Sequence, residues 1–363
     1  MEKKVLTLIL SLFAVQAFSQ TQNIDVVEYC PAPGQFVNML PSASATTTYQ
    51  DICSQATESL NNGQVVHLGT YGGYVTVKFD HPIMNKRGSD LRITGNGFYA
   101  NGSAGQNLGG SFEHGIVYVG VGDDVETCTW YELAGSEYYT TEIHDFSITY
   151  YKPEAEQGEH SLPASTYDNY IRWEASWTEN GEKKDSTGYH MKNSYHSQSY
   201  WPLWETANTL TFSGGKLPNN AVDLSGKGTN WVLYRYAQDS YGYVDASLNT
   251  DDYSTFDIDW AVDNDGNHVD LEEVNFVKVV SGLFQYCGWL GETSTEVAGF
   301  QDLHLVDGYD DNPILITPRQ SVSSVNNVTS RKNKDTIIYD LMGRKVNNPQ
   351  KGIYIINNKK VIF

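Results

Sequence analysis

The chain has 363 residues, among them 32 glycines, 25 tyrosines and 8 tryptophans, with charged residues at 19%. That is enough for one large domain with appendages or for two ordinary ones, and the turn-rich, aromatic composition points to an all-β fold. A net charge of −20 argues against nucleic acid or an anionic membrane as partner, because such a surface repels phosphate.

Glu2-Lys3-Lys4, the apolar run Val5–Ala17 and the small residues of Ala17-Phe18-Ser19 have the form of a cleavable signal peptide over 1–19. The run is too short to span a bilayer, and no later stretch approaches ~20 apolar residues, so no transmembrane segment is expected. Export is the expected address, at the cell surface or as a released protein. An even count of cysteines in an exported chain suggests disulfides. The expected pairs are Cys30–Cys53, closing a local loop, and Cys128–Cys287, a long-range tie; four free thiols are the alternative.

A β-sandwich is expected over 20–313. Residues 20–62 read as a lead-in with little periodicity, holding Pro31, Pro33 and Pro41. Gln64–Val77 reads as a strand pair bent at Gly69, Gly72 and Gly73, halted by Phe79-Asp80-His81-Pro82. Asp90–Thr94 and Gly115–Val121 read as strands separated by a Gly/Asn/Ser-rich loop over 95–111. Thr129–Leu133 and Phe146–Tyr151 follow. The segment 154–205 is rich in aromatic and polar residues, with strand-like pieces around Gly181 and Gly188. Leu210–Phe212 and Trp231–Tyr236 are further strands.

Phe256–His304 anchors the pattern. Phe256, Ile258, Trp260 and Val262 alternate with Asp257, Asp259 and Ala261, the period of a strand with one buried face. Asp263-Asn264-Asp265-Gly266-Asn267 is a turn, and Val274–Val280 a second strand with Val274, Phe276 and Val280 inward. Strands recurring every 8–15 residues with turn signals between them suit a sandwich. Residues 314–334 are Ser/Val/Asn-rich and read as a linker. Residues 335–363 form a small β-unit with strands at Ile337–Leu341 and Ile353–Ile356. From Arg331 onward eight Lys/Arg meet two Asp/Glu, a net of +6; the body without that tail and without Glu2–Lys4 keeps 14 basic and 41 acidic residues, a net of −27.

Two resemblances carry further expectations. Tyr339-Asp340-Leu341-Met342-Gly343-Arg344, Lys351-Gly352-Ile353-Tyr354-Ile355 and Lys359-Lys360-Val361 resemble the carboxy-terminal sorting domains of the type IX secretion system of Bacteroidota. This implies passage across the outer membrane, followed by attachment or release. Lys78–Ile83, Trp130-Tyr131-Glu132-Leu133-Ala134-Gly135, Tyr200-Trp201-Pro202-Leu203-Trp204, Phe256–Gly282 and Gly288–Glu296 resemble a family of Bacteroidota cell-surface proteins. That family implies a jelly-roll-like sandwich taking part in outer-membrane nutrient capture, of glycans or corrinoids, beside an importer. Relatives carry an Asp/Asn/Gly-rich, calcium-like loop before the WYELAG motif; Gly120–Glu126 here is shorter, so no calcium loop is expected there.

No GxSxG, HExxH or P-loop signature is present, and acidic pairs such as Asp257/Asp259 and Glu272/Glu273 arise readily among 44 carboxylates. The expected role is therefore non-catalytic, with a structural or adhesive surface protein and a polysaccharide hydrolase as the alternatives. Ligand binding is expected at the aromatic cluster, through Trp173, Tyr195, Tyr200, Trp201 and Trp204, whose faces suit the CH surfaces of sugar rings; core packing is the competing role for about half of these rings. No cofactor is expected except calcium. Asp263, Asp265 and Asp270 offer oxygens at alternating positions, but they lack the order of a helix–loop–helix calcium site, and a plain hairpin turn fits better. His190 and His196 read as surface histidines.

Overall fold

The computed structural model describes residues 22–100, 108–153, 170–192, 195–196, 198–306 and 309, together with tail strands at 338–340, 345–346, 353–356 and 359–362. The segments expected as signal peptide, 1–19, and linker, 314–334, lie outside the described residues, as does 154–169 of the aromatic segment. The chain divides into two compact units, Met1–Gln320 and Ser321–Phe363.

The first unit is an all-β sandwich of antiparallel sheets with no closed barrel. Its central sheet runs in the order Ile24–Cys30, Tyr74–Met84, Glu273–Ser281, Gly115–Val121, Thr129–Leu133 and Ala261–Val262. Tyr243–Val244 shares the outer edge of Gly115–Val121 with Thr129–Leu133. The late strand Glu273–Ser281 thus lies between two early ones, a long return connection of the Greek-key kind. Val75, Val77, Val117, Val119, Val277 and Val279 are all buried, as β-branched side chains on a pleated core surface should be.

A second sheet runs Glu182–His190, Ile171–Glu179, Ile143–Tyr151, Thr209–Lys216. Its hairpin turns at Asn180-Gly181, both at positive φ, the geometry of a two-residue turn that matches strand twist. Phe146, Ile148, Tyr150 and Ile171 from this sheet pack with Tyr71, Tyr170, Tyr200 and Trp201 into a second core cluster. The tail unit is a four-stranded antiparallel sheet ordered Lys345–Val346, Ile338–Asp340, Ile353–Ile356, Lys359–Ile362.

The supposed lead-in is ordered. Ile24–Cys30 is the edge strand of the central sheet, and Tyr49–Asn61 is an α-helix, α1. Thr48 and Asp51 close a reciprocal capping box at its start, and Ile52, Ala56 and Leu60 put one face into the main core. The row Tyr49, Cys53, Thr57, Asn61, four residues apart, faces the edge strand. Asn61 bonds both backbone groups of Ile24, Thr57 accepts from the Val26 amide and Tyr49 accepts from the Tyr29 amide. α1 thus covers backbone groups that a bare edge would leave open to another chain.

Several expectations need correction. Val66–His67 pairs with Glu296–Val297 rather than with Tyr74–Met84. A Cβ on Gly69 would stand 1.8 Å from the Ala32 carbonyl oxygen, so glycine is required for that close approach. The chain does not stop at Pro82; Tyr74–Met84 continues through it, while the pairing with Glu273–Ser281 jumps from Ile83 to Lys78, skipping the residue that has no N–H. The loop over 95–111 contains short paired strands, Phe98–Tyr99 and Gly109–Ser111. Phe256, Ile258, Trp260 and Val262 are all buried, but the backbone is a 3-10 turn over Ile258–Trp260 between two-residue strands. In Glu273–Ser281 the irregular pairing after Val274 changes the inward set, so Val277 and Val279 are buried and Val280 is half-buried.

The four cysteines are free thiols. Cys30 lies 3.8 Å from the Tyr49 hydroxyl, and Cys53 meets the same hydroxyl, so the two thiols share one phenol and remain unlinked. Cys128 packs beside Gly120 and Gly122, at the far end of Gly115–Val121. Cys287 lies in the electrostatic neighbourhood of Glu113, just ahead of that strand. Six residues of strand, ~20 Å at 3.3 Å each, separate these ends, far beyond the reach of a disulfide. Among the described residues no helix is long and apolar enough to cross a membrane.

Candidate functional site

A surface groove of about 180 Å³ opens where the end of the first strand, the start of α1 and the second sheet meet. Tyr29, Cys30 and Pro31 supply one wall, with Tyr49 from the first turn of α1 and Tyr74 from the neighbouring strand. Pro202, Trp204 and Glu205 supply the opposite wall, with Leu210, Thr211 and Phe212 from Thr209–Lys216. Trp204 stacks on Tyr29 with ring centroids 5.7 Å apart and planes 25° from parallel. Tyr74 meets Phe212 edge-to-face at 6.5 Å. Lys278 lies over the outer face of Tyr74 at 4.5 Å and also bonds Glu28, 3.1 Å away.

The loop that presents Trp204 is held by Asn38. Its Nδ2 donates to the Ser199 and Trp201 carbonyls at 2.8 and 2.9 Å, and its Oδ1 accepts from the Leu203 amide at 2.9 Å. Gly34 donates to the Tyr200 carbonyl, and the Tyr170 hydroxyl accepts from the Tyr200 amide. Glu205 accepts from the Ala207 amide at 2.7 Å, and Lys152 donates to the Glu205 carbonyl. Tyr29 donates its own hydroxyl to the His67 carbonyl at 2.7 Å, which fixes the ring under Trp204.

Burial pushes the Tyr49 and Tyr74 phenols well up and raises the Cys30 and Cys53 thiols. These groups are neutral donors at physiological pH. A thiol held protonated is a poor nucleophile, so the groove offers aromatic faces, hydroxyls and one carboxylate, a set suited to binding.

The five aromatic residues expected at a ligand site part company here. Trp204 lines the groove. Tyr200 and Trp201 are buried, at 0% and 3% exposure, within the second core cluster. Trp173 meets Phe284 edge-to-face at 4.8 Å on the second sheet, and Tyr195 is 77% exposed. Tyr29, Tyr49, Tyr74 and Phe212 complete the groove and were not singled out from the sequence; they come from separate segments, and no local spacing joins them.

The expected calcium ligands do not converge either. Asp263 Oδ1 accepts from the Asp265 and Asn267 amides at 2.9 and 2.8 Å, and both Asp263 oxygens stand 3.2 Å from Asn267 Nδ2. The carboxylate is thus consumed by the hairpin turn, and these bonds hold its pKa below the usual carboxylate range. Asp270 points to solvent beside His268. His190 is buried and stacks on Tyr150 at 5.7 Å, while half-buried His196 meets Phe36 at 4.4 Å; neither is an ordinary surface histidine.

Two acids only ten residues apart in sequence do meet. Glu132, within the WYELAG motif, and Glu142 come together beside Tyr118, and Glu142 has a fully buried side chain. Burial lifts both, Glu142 to about 8, so the pair holds protons at neutral pH. The chain matches no family model and no curated protein.

Proposed function

We propose that this chain is an exported, non-catalytic surface protein whose aromatic groove captures a saccharide ring, as the recruiting part of outer-membrane nutrient uptake. The Trp204–Tyr29 stack carries this reading. Trp204, backed by fully buried Tyr29, presents a flat apolar surface at a solvent-open site, rimmed by the hydroxyls of Tyr49, Tyr74 and Thr211 and by Glu205, the mixture that sugar faces and sugar hydroxyls require. The volume is below the ~300–1,000 Å³ of sites for drug-sized ligands, so one sugar ring suits it and a corrinoid does not. Glu205 is the one carboxylate among the described lining residues, whereas glycoside hydrolysis ordinarily needs two.

Isothermal titration against a glycan panel and cobalamin tests the ligand class. Binding of at least one glycan, with none to cobalamin, is the expected result. Cobalamin binding would replace the ligand, and no binding to either, with a host or matrix protein captured instead, would favour adhesion. Sorting by the basic tail belongs to the same reading. Removing residues 335–363 should leave the melting curve unchanged and retain the protein in the periplasm; normal export with a large loss of stability would refute it.

A further inference from the structure

At the other end of Gly115–Val121, three carboxylates from distant parts of the chain come together. Glu113 precedes that strand, Asp245 follows Tyr243–Val244, which pairs with it, and Glu296 lies in the short strand paired with Val66–His67. One ligand oxygen from each lies within 4.8 Å of those of the other two. The backbone fixes this approach: the Glu113 amide donates to the Asp245 carbonyl at 3.0 Å, and Thr295 Oγ1 donates to the Glu113 carbonyl at 2.8 Å.

The side chains are aimed as well. Asp245 Oδ1 accepts from the Asn96 amide and Oδ2 from the Glu296 amide, while Glu113 Oε1 accepts from the Ser294 amide. The Glu296 side chain is only 9% exposed, and its Oε2 has no hydrogen-bond partner. Outside the trio, buried Glu292 also has an unpartnered Oε2, and Glu113 is among its electrostatic neighbours. Buried acceptors left without donors are costly, and carboxylates this close repel one another unless a cation or a proton lies between them.

His67 does not fill that role. Its Nδ1 accepts from the Gly69 amide, so the remaining proton is on Nε2, 3.4 Å from Glu296 Oε1. Burial pushes the ring down to about 3, leaving it neutral, and its one free donor goes to a single oxygen. The forces acting on the three carboxyls are burial, each other and backbone amides; burial and mutual repulsion raise Asp245 and Glu296, and burial lifts Glu113 to about 7.

We propose that Glu113, Asp245 and Glu296 form a binding site for a hard divalent cation, calcium, which ties the loop before Gly115–Val121 to the segments carrying Asp245 and Glu296. An oxygen-only donor set selects calcium over softer ions, since the imidazole lone pair is already engaged. Glu113 is half-buried as a residue, which leaves a route for the ion from solvent. The site is separate from the aromatic groove, and its test does not depend on a saccharide.

The experiment titrates CaCl₂, MgCl₂ and ZnCl₂ into chelator-treated protein by calorimetry and follows thermal melting in parallel. Calcium should bind at one site per chain and raise the Tm by roughly 5 °C at about 100 times its Kd, with magnesium much weaker. Glu296→Gln and Glu113→Gln should each abolish both responses; Glu113→Gln, at the less buried position, is the variant to rely on if Glu296→Gln folds poorly. Chelator-treated protein that gives no calcium heat and no shift in Tm would overturn the proposal and leave the carboxyls sharing protons. Calcium binding that survives in a folded Glu113→Gln variant, or a preference for zinc, would overturn the assignment.

Discussion

The aromatic groove and the acid-lined end of the central sheet both concentrate chemistry, but they are built in opposite ways. The groove is assembled around a ring that the core leaves half covered, Trp204 standing on fully buried Tyr29. The acid cluster is assembled from groups that burial ought to exclude, such as Glu296 and Asp245. The contrast separates two kinds of cost. Truncating a half-covered ring at the surface removes binding area and little stability, whereas changing a buried acid alters the protonation and stability of the fold itself. Trp201 and Trp204, three residues apart, stand on either side of that division.

Breaking the contrast at its strongest point means truncating a ring of the motif that is core. Trp201→Ala should cost about 3–5 kcal/mol, the ordinary loss for a buried Trp, seen as a large fall in denaturation midpoint. A cost below about 1 kcal/mol would mean that Trp201 belongs to the ligand surface.

Next in size is the pH dependence, measured with chelator present. Glu142 is lifted to about 8, and Glu292 and Asp257 to about 7, each chiefly by burial, while unfolded carboxyls titrate near ~4. Between those limits the folded state holds more protons than the unfolded state, so stability should fall as pH rises from about 4.5 to 8. Glu142→Gln, neutral at every pH, should flatten the upper part of that decline. A Tm that rises across the window would contradict the protonated state of these acids.

Asn38 links the two behaviours, because it is buried and yet positions Trp204. Asn38→Ala should cost about 1–3 kcal/mol through the stranded carbonyls and amide and weaken ligand binding as well, checked by melting and titration on one preparation. The smallest effect belongs to Tyr195. At 77% exposure, Tyr195→Ala should change stability by less than about 0.5 kcal/mol and leave groove binding intact; a loss of affinity would extend the site to that loop.

Much of the fold was legible in the chain because burial imposes a period. Gly115–Val121, Thr129–Leu133 and Ile353–Ile356 were expected where they lie. The alternation of Phe256, Ile258, Trp260 and Val262 identified buried residues correctly even though a 3-10 turn interrupts the strand, since a tight turn can also return a side chain to the core. α1 was missed because its buried face is thin, made of Ile52, Cys53, Ala56 and Leu60, although the Thr48–Asp51 capping box was a readable start signal. The cysteine pairing failed for a reason invisible to counting, the length of a strand between Cys128 and Cys287. Of the groove, the sequence marked Trp204 alone among the five aromatic candidates, and the Glu113, Asp245 and Glu296 cluster left no local trace, because its members meet only through strand pairing.

The most direct test of the groove is a titration of wild-type protein and Trp204→Ala with the glycan that binds best in the panel. Loss of the Tyr29 stack should cost about 0.5–1.5 kcal/mol of stability, leaving a cooperative melt, while affinity falls at least tenfold, about 1.4 kcal/mol. A folded Trp204→Ala variant that binds the glycan as tightly as wild type would contradict a saccharide site on the Trp204–Tyr29 stack.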